Sequence, residues 1–314
     1  MTVDNPKVSI GLPVYNGERY LAGALDGILR QSFEDFEIVI SDNASTDRTR
    51  EICAEYCKKD SRIRYSRNDT NIGAARNFNK TFELSRGSYF AWVAYDDLYD
   101  DKYLELCVNV LDNDPSVSLC HSRIGLIDEF GAPIPTAGPG RIIGPDGRPV
   151  RHSDKYHIAE SPRIEERFQD VLHNVSWCLQ VFGLLRTENM RKTGLQRNYY
   201  GADKVFLAEI SLMGRFHQIE ETLFFKRVHG AMTFYMSTDT KKKWIDPDGA
   251  RPLPQVQMLN DYVAMVMKTR MPLRQRLICF FWIAAMVKRP GLWHKIFIPG
   301  PYNYLGINFS HKKS

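Results

Sequence analysis

The chain has 314 residues, 43% of them hydrophobic and 25% charged, enough for one sizeable core with an appended segment but short of two full domains. Its net charge of +5 suits anionic ligands or an anionic surface and is too weak an excess for a nucleic-acid binder. The six cysteines form no CxxC pair and no Cys/His cluster with zinc spacing, and the first residues lack a charged segment followed by an apolar run, so a cytoplasmic protein with reduced thiols is expected.

Strand and helix patterns alternate from the start. Residues 7–14 (KVSIGLPV) read as an apolar, β-branched strand closing near Pro13, and Leu21, Leu25, Ile28 and Leu29 stand at helical spacing within 20–31. Residues 36–41 (FEIVIS) are a short apolar strand, and the cap-type residues Ser45, Thr46 and Asp47 precede a helix over 49–59. A weak strand at 63–66, a helix over 74–85, a buried strand at 89–94 (YFAWVA), a helix over 103–111 and a strand at 117–121 continue the series. Strands alternating with helices of this length predict βαβ units and a mostly parallel α/β sheet.

The Gly- and Pro-rich stretch 130–150 reads as a long loop or hairpin. Beyond it the pattern predicts a helix over 164–172, a strand over 181–186, a helix over 203–213 and two strands over 215–219 and 222–228. Residues 253–267 and 273–287 look helical. No internal repeat is visible.

In parallel sheets ligands sit beyond the carboxyl ends of the strands. Those ends hold Pro13–Tyr15, residues 41–45 and residues 95–97. Adjacent acids such as Asp96 and Asp97, after an apolar strand, repel and are costly to desolvate unless a partner neutralises them. A hard divalent cation is one such partner, and a helix cap is the plainer alternative. Tyr15 can stack on a flat base, Asp42 can accept from a base imide or a ribose hydroxyl, and Arg76 can face phosphate. Each of these also has a plain structural reading, as a cap, a turn or a surface side chain.

The four stretches stand in one order. VSIGLPVYNGERYL, FEIVISDNASTD, NIGAARNFN and YFAWVAYDD resemble the successive nucleotide-binding blocks of glycosyltransferase family two, an inverting family with the GT-A fold. The resemblance is close over the first two fifths of the chain and looser as far as His229. It implies a GT-A catalytic domain over residues 1–235, made of a nucleotide-binding half (1–125) and an acceptor half (126–235), followed by a helical tail (236–314). It implies that Pro13, Tyr15, Asp42, Arg76 and Asp96 hold the nucleotide, and that Asp96, Asp97 and His229 hold Mg²⁺ or Mn²⁺. Arg227 would face the leaving diphosphate. The family often carries a further acid two positions before the pair, where this chain has Ala94. In the second half, YYGADKVFLAEI is similar to the region carrying the family's catalytic base, which falls on Asp203; Glu209 is a further acidic candidate, and a helix cap is the plain reading of Asp203. Trp177 resembles an acceptor-side aromatic, although core packing explains a lone Trp equally well.

The donor implied is a nucleotide-diphosphate sugar, with UDP preferred over dTDP or GDP. The acceptor would be a hydroxyl on a surface or lipid-linked glycan, or alternatively on a protein side chain. A catalytically inactive assembly subunit of the same fold is the non-enzymatic alternative. A sugar nucleotidyltransferase would want a Gly-rich, basic loop after the first strand, and PVYNGERYL lacks that character.

The apolar run at 277–287 is too short to span a bilayer. Basic residues flank it, and Trp282 and Trp293 are interfacial types, so a helix lying in the headgroup region is expected, peripheral on the inner face of the cytoplasmic membrane. Packing on the catalytic domain is the alternative.

Overall fold

The computed structural model describes residues 5–135, 141–143, 149–151, 157–230, 238–249 and 254–288. The chain opens with β1 (Val8–Val14), α1 (Leu21–Leu29), β2 (Phe36–Asp42), α2 (Thr49–Lys59), β3 (Ile63–Arg67), α3 (Ala74–Glu83) and β4 (Tyr89–Trp92). β1 and β2 are buried along their whole length, which is why both read as nearly continuous apolar runs rather than alternating ones. They pair in parallel from Val8↔Phe36 to Val14↔Asp42, so the polar residues after both strands emerge at one edge. β3 and β4 flank them, also parallel. Helix α3 lies close against β1 at Gly11, where a Cβ would stand 2.4 Å from both the Phe90 ring and the Thr81 hydroxyl.

The chain continues through β5 (Leu98–Tyr99), α4 (Tyr103–Asn113), β6 (Val117–Ile127), the hairpin β7 (Arg141–Ile143) and β8 (Pro149–Arg151), α5 (Ile164–Asn174), β9 (Leu184–Arg186), α6 (Thr187–Met190), α7 (Ala202–Met213) and β10 (Arg215–Arg227). The main sheet has eight strands in the order β3-β2-β1-β4-β9-β6-β10-β5. β10 runs parallel to β6, whereas β9 and β5 are antiparallel to their neighbours. α8 (Thr238–Ile245), α9 (Pro254–Lys268) and α10 (Leu273–Val287) close the described chain.

Side chains from the two faces of the sheet gather into two cores. One holds Ile10, Leu12, Leu25, Ile38 and Leu104 under α1 and α4. The other holds Phe90, Trp92, Phe168 and Phe206 under α5 and α7, with Trp92 edge-on to both Phe90 and Phe206. Tyr262, Met265 and Val266 of α9 and Cys279, Ile283 and Met286 of α10 are buried in this second core, so the final helices share it with the sheet.

Several expected elements differ in extent. The two strands expected at 215–219 and 222–228 are one strand, β10, whose pairing with β6 shifts register between Ile219 and Thr222. The strand expected at 181–186 is a 3-10 turn (Leu179–Phe182) followed by three residues of β9. Gly183 separates them, where a Cβ would meet the Cys120 carbonyl at 2.7 Å. The strand expected at 117–121 runs on to Ile127. β5 and α8 have too few apolar residues to show a period.

Candidate active site

The loops after β1 and β2 are stitched together. The Asn43 amide donates to the Val14 carbonyl, Asn16 N–H to the Ser45 hydroxyl, Gly17 N–H to Thr49, and Thr46 N–H to the Asn16 side chain. Pro13 is a buried strand residue opposite Ser41. Tyr15, one residue past the strand, is 40% exposed and so presents a flat ring at this edge.

Asp42 ends β2 fully buried. One carboxylate oxygen accepts from Ser45 N–H at 2.8 Å. The other accepts from the Tyr65 hydroxyl at 2.7 Å and Arg67 at 2.6 Å. Burial alone would raise its pKa, but the hydrogen bonds from Ser45, Tyr65 and Arg67 outweigh that and hold it below the usual carboxylate value. Arg67 also donates to the Ser45 carbonyl and keeps about a third of its side chain in solvent. The group exposed at this edge is therefore the guanidinium.

Arg76 stands in the first turn of α3, its side chain partly exposed and paired with Asp248 at 2.8 Å and Asp246 at 3.5 Å. One turn further along the same helix, Asn79 accepts from Gln196 N–H and donates to the Gln196 carbonyl. The helix thus joins the first β-strand series to the segment ahead of α7.

Asp96, Asp97 and His229 come together, although they lie more than 130 residues apart along the chain. The His229 ring nitrogen is 2.8 Å from Asp96, and its ring leans on Tyr20 at 5.1 Å. Asp97 is fully buried, with one oxygen taking the Arg227 amide at 2.9 Å and both taking Lys226 at 3.1–3.2 Å. Both oxygens of this expected metal ligand are thus occupied by protein donors. For Asp96, burial disfavours the charge, and Lys226 and His229 more than compensate, lowering its pKa. For Asp97, burial and the neighbouring Asp96 charge prevail over Lys226 and raise it.

Arg227, expected to face a diphosphate, is buried. It donates to the carbonyls of Asp96, Asp128 and Glu129, and its guanidinium sits 4.9 Å from the Tyr20 ring centre. It braces the backbone at Asp96, Asp128 and Glu129; Lys226, not singled out in the sequence, carries the cation next to the acids.

Among the described residues no group of three His, Cys, Asp or Glu side chains is arranged to hold a metal. Asp96 and His229 place one carboxylate and one imidazole side by side, in contact with each other; the carboxylate suits Mg²⁺ or Mn²⁺, whereas an imidazole ligand does not suit Mg²⁺.

Asp203 lies in the first turn of α7, after Gly201 in the left-handed region (φ 93°). Dense surroundings raise its pKa to about 6, with the Gln196 carboxamide acting against the rise. Its side chain nonetheless reaches solvent. Trp177 is half-buried against the core below β9 and β10.

The mostly parallel sheet with helices on both faces is a GT-A-like fold, and solved structures share it. The chain superposes on Staphylococcus aureus TarS 1-349 in complex with UDP-GlcNAc with a TM-score of 0.63 at 17% identity, covering 90% of this chain and 71% of that one. It superposes on the mannosyltransferase PcManGT from Pyrobaculum calidifontis, in complex with GDP-Man and Mn²⁺, with a TM-score of 0.53 at 15% identity, covering 96% and 86%.

The chain belongs to glycosyl transferase family 2, whose model matches residues 9–176, just over half its length. An uncharacterized glycosyltransferase of Methanocaldococcus jannaschii is 34% identical over 131 residues, 41% of this chain and 45% of that protein. One of Haemophilus influenzae is 27% identical over 230 residues, 73% and 67% of the two chains. The first of these matches spans less than half of the relative's own length.

Proposed function

We propose that this protein transfers a sugar from a nucleotide-diphosphate sugar, a UDP-sugar in preference to a dTDP- or GDP-sugar, to a hydroxyl acceptor with inversion. The observation carrying this reading is the Asp96–His229 contact of 2.8 Å, which joins the end of the first βαβ series to the end of β10. Tyr15 would stack on the base, with Asp42, acting through Arg67, and Arg76 lining the rest of the nucleotide. Asp96 would hold Mg²⁺ or Mn²⁺, with His229 a further ligand for Mn²⁺, while Asp97 stays fixed on Lys226 behind them. A cation there offsets the charge that develops on the departing diphosphate. The bound nucleotide sugars of the two structural neighbours support a donor of this class.

Asp203 is the base. Ionised above pH 6, it accepts the proton of the acceptor hydroxyl as that oxygen bonds to the anomeric carbon. The bond from that carbon to the diphosphate breaks in the same displacement, so the configuration inverts. We assign the acceptor to a surface or lipid-linked glycan because the last quarter of the chain is basic and apolar.

The test is a panel of UDP-, dTDP- and GDP-sugars incubated with Mn²⁺, Mg²⁺ or EDTA, with nucleotide release as the readout. Slow metal-dependent release from one nucleotide class, abolished by Asp96→Ala, is expected. Absence of release across the panel, together with no calorimetric binding of a nucleoside diphosphate in Mn²⁺, overturns the reading.

A further inference from the structure

Charge is distributed very unevenly along this chain. After Asp261 there is no Asp or Glu, while Lys268, Arg270, Arg274, Arg276, Lys288, Arg289, Lys295, Lys312 and Lys313 contribute +9. The preceding residues therefore sum to −4, and the whole net charge of +5 originates in the last 53 residues.

Helix α10 gives this cationic segment a second property. At about 100° per residue, Cys279, Ile283 and Met286 share one face, and all three are buried against the rest of the protein. Leu273, Leu277 and Phe281 lie at successive i, i+4 positions on the opposite face and are 68%, 59% and 62% exposed. With Arg274 and Ile278 they line a shallow apolar depression. Lys268, Arg270 and Arg274 are exposed around the start of the helix, and Lys288 is exposed at its end, on the side of the apolar stripe.

Trp282 behaves differently from the interfacial anchor expected of it. It is half-buried, edge-on to the His173 ring of α5, and its carbonyl lies 3.2 Å from His173. Phe281 takes the outward position instead. Trp293 lies outside the described residues.

We infer that the Leu273–Leu277–Phe281 face of α10 docks on an anionic lipid surface, its apolar stripe entering the boundary of the acyl region and its Lys and Arg side chains pairing with lipid phosphates. The face is one apolar stripe bounded by cations, with no carboxylate on the helix, and that order matches the layers of a bilayer interface. Long Lys and Arg stems reach from such a stripe back to the headgroups. A second copy of the chain suits the face poorly, because two segments of this charge repel. None of the described helices is long and apolar enough to cross a membrane, so α10 lies on the surface. The inference does not depend on the sugar-transfer reading, which nucleotide release tests separately.

The experiment is co-sedimentation of the full chain with vesicles of phosphatidylcholine alone, or with about a third phosphatidylglycerol, at low salt and at high salt. At least tenfold stronger partitioning onto the anionic vesicles is expected, weakened by high salt. Leu277→Glu with Phe281→Glu should lower it tenfold or more, and Arg270→Gln with Arg274→Gln should lower it severalfold. Circular dichroism and thermal melting confirm that each variant is folded. Equal binding to neutral and anionic vesicles, or none to either, overturns the inference. So does undiminished binding by the folded Leu277→Glu/Phe281→Glu variant, or a dimer in sedimentation that this variant dissolves.

Discussion

Arg67 donates to Asp42 at 2.6 Å, and the pair reverses the charge presented at the edge of the sheet: the acid is fully buried and the guanidinium meets solvent. Asp42 and the Ser45 carbonyl fix where the guanidinium points, so this edge offers a donor where the family pattern implies an acceptor. Asp42→Asn should lower stability by about 1–3 kcal/mol, because buried donors from Ser45, Tyr65 and Arg67 lose a charged acceptor. The folded-state pKa of Asp42 lies below its ordinary value. Its contribution is therefore complete above the ordinary carboxylate range and is lost as pH falls through the folded value. Urea midpoints from pH 7 to pH 3 should converge for wild type and variant at the acid end. A constant gap over the whole range contradicts this account.

Lys226 and Asp97 form a further ion pair of the site, with the acid fully buried. Removing one partner strands a charge in the interior. Lys226→Met should destabilise by about 3–5 kcal/mol, and a second change, Asp97→Asn, should restore much of that loss. Denaturant unfolding of the two single variants and the double variant measures the coupling. Additive effects would mean that the two groups do not sense one another.

The first half of the fold was legible in the sequence because its strands are buried on both faces and its helices have clear apolar faces, as β1, β2 and α1 illustrate. The strand-end positions of Tyr15, Asp42 and Asp96 followed from that alternation. The partners that decide what those residues do were not legible. Lys226 and His229 reach the acids only through the long pairing of β10 with β6, and Arg67 reaches Asp42 only through the parallel register of β3 with β2. Asp246 and Asp248 form a recognisable Asp-Pro-Asp-Gly turn, but nothing local says that the turn closes on Arg76 about 170 residues earlier.

Asp203 should separate chemistry from binding. Asp203→Asn should leave calorimetric binding of the nucleoside diphosphate within a factor of two and reduce transfer by roughly 10²–10⁴. A base with its pKa raised to about 6 is protonated, and idle, below that value. kcat/KM for transfer should fall about tenfold per unit of pH on the acid side of that point. Asp203→Glu should retain part of the activity and move the acid limb. An Asp203→Asn variant that turns over at the wild-type rate would remove this residue from the mechanism.

Gly73 couples the turn after α8 to the start of α3. Its φ of 84° and ψ of 157° belong to a region open essentially to glycine alone, and a Cβ there would stand 2.3 Å from the Ile245 carbonyl oxygen. The turn that follows Ile245 carries Asp246 and Asp248, the two acids on Arg76. Gly73→Ala should therefore cost roughly 1–3 kcal/mol and push this turn away, freeing the Arg76 guanidinium. If Arg76 meets phosphate, the released guanidinium binds nucleotide more tightly in a variant that is less stable overall. Those opposite signs, read by thermal melting and by titration with a nucleoside diphosphate, distinguish a competing contact from simple damage, which would lower both.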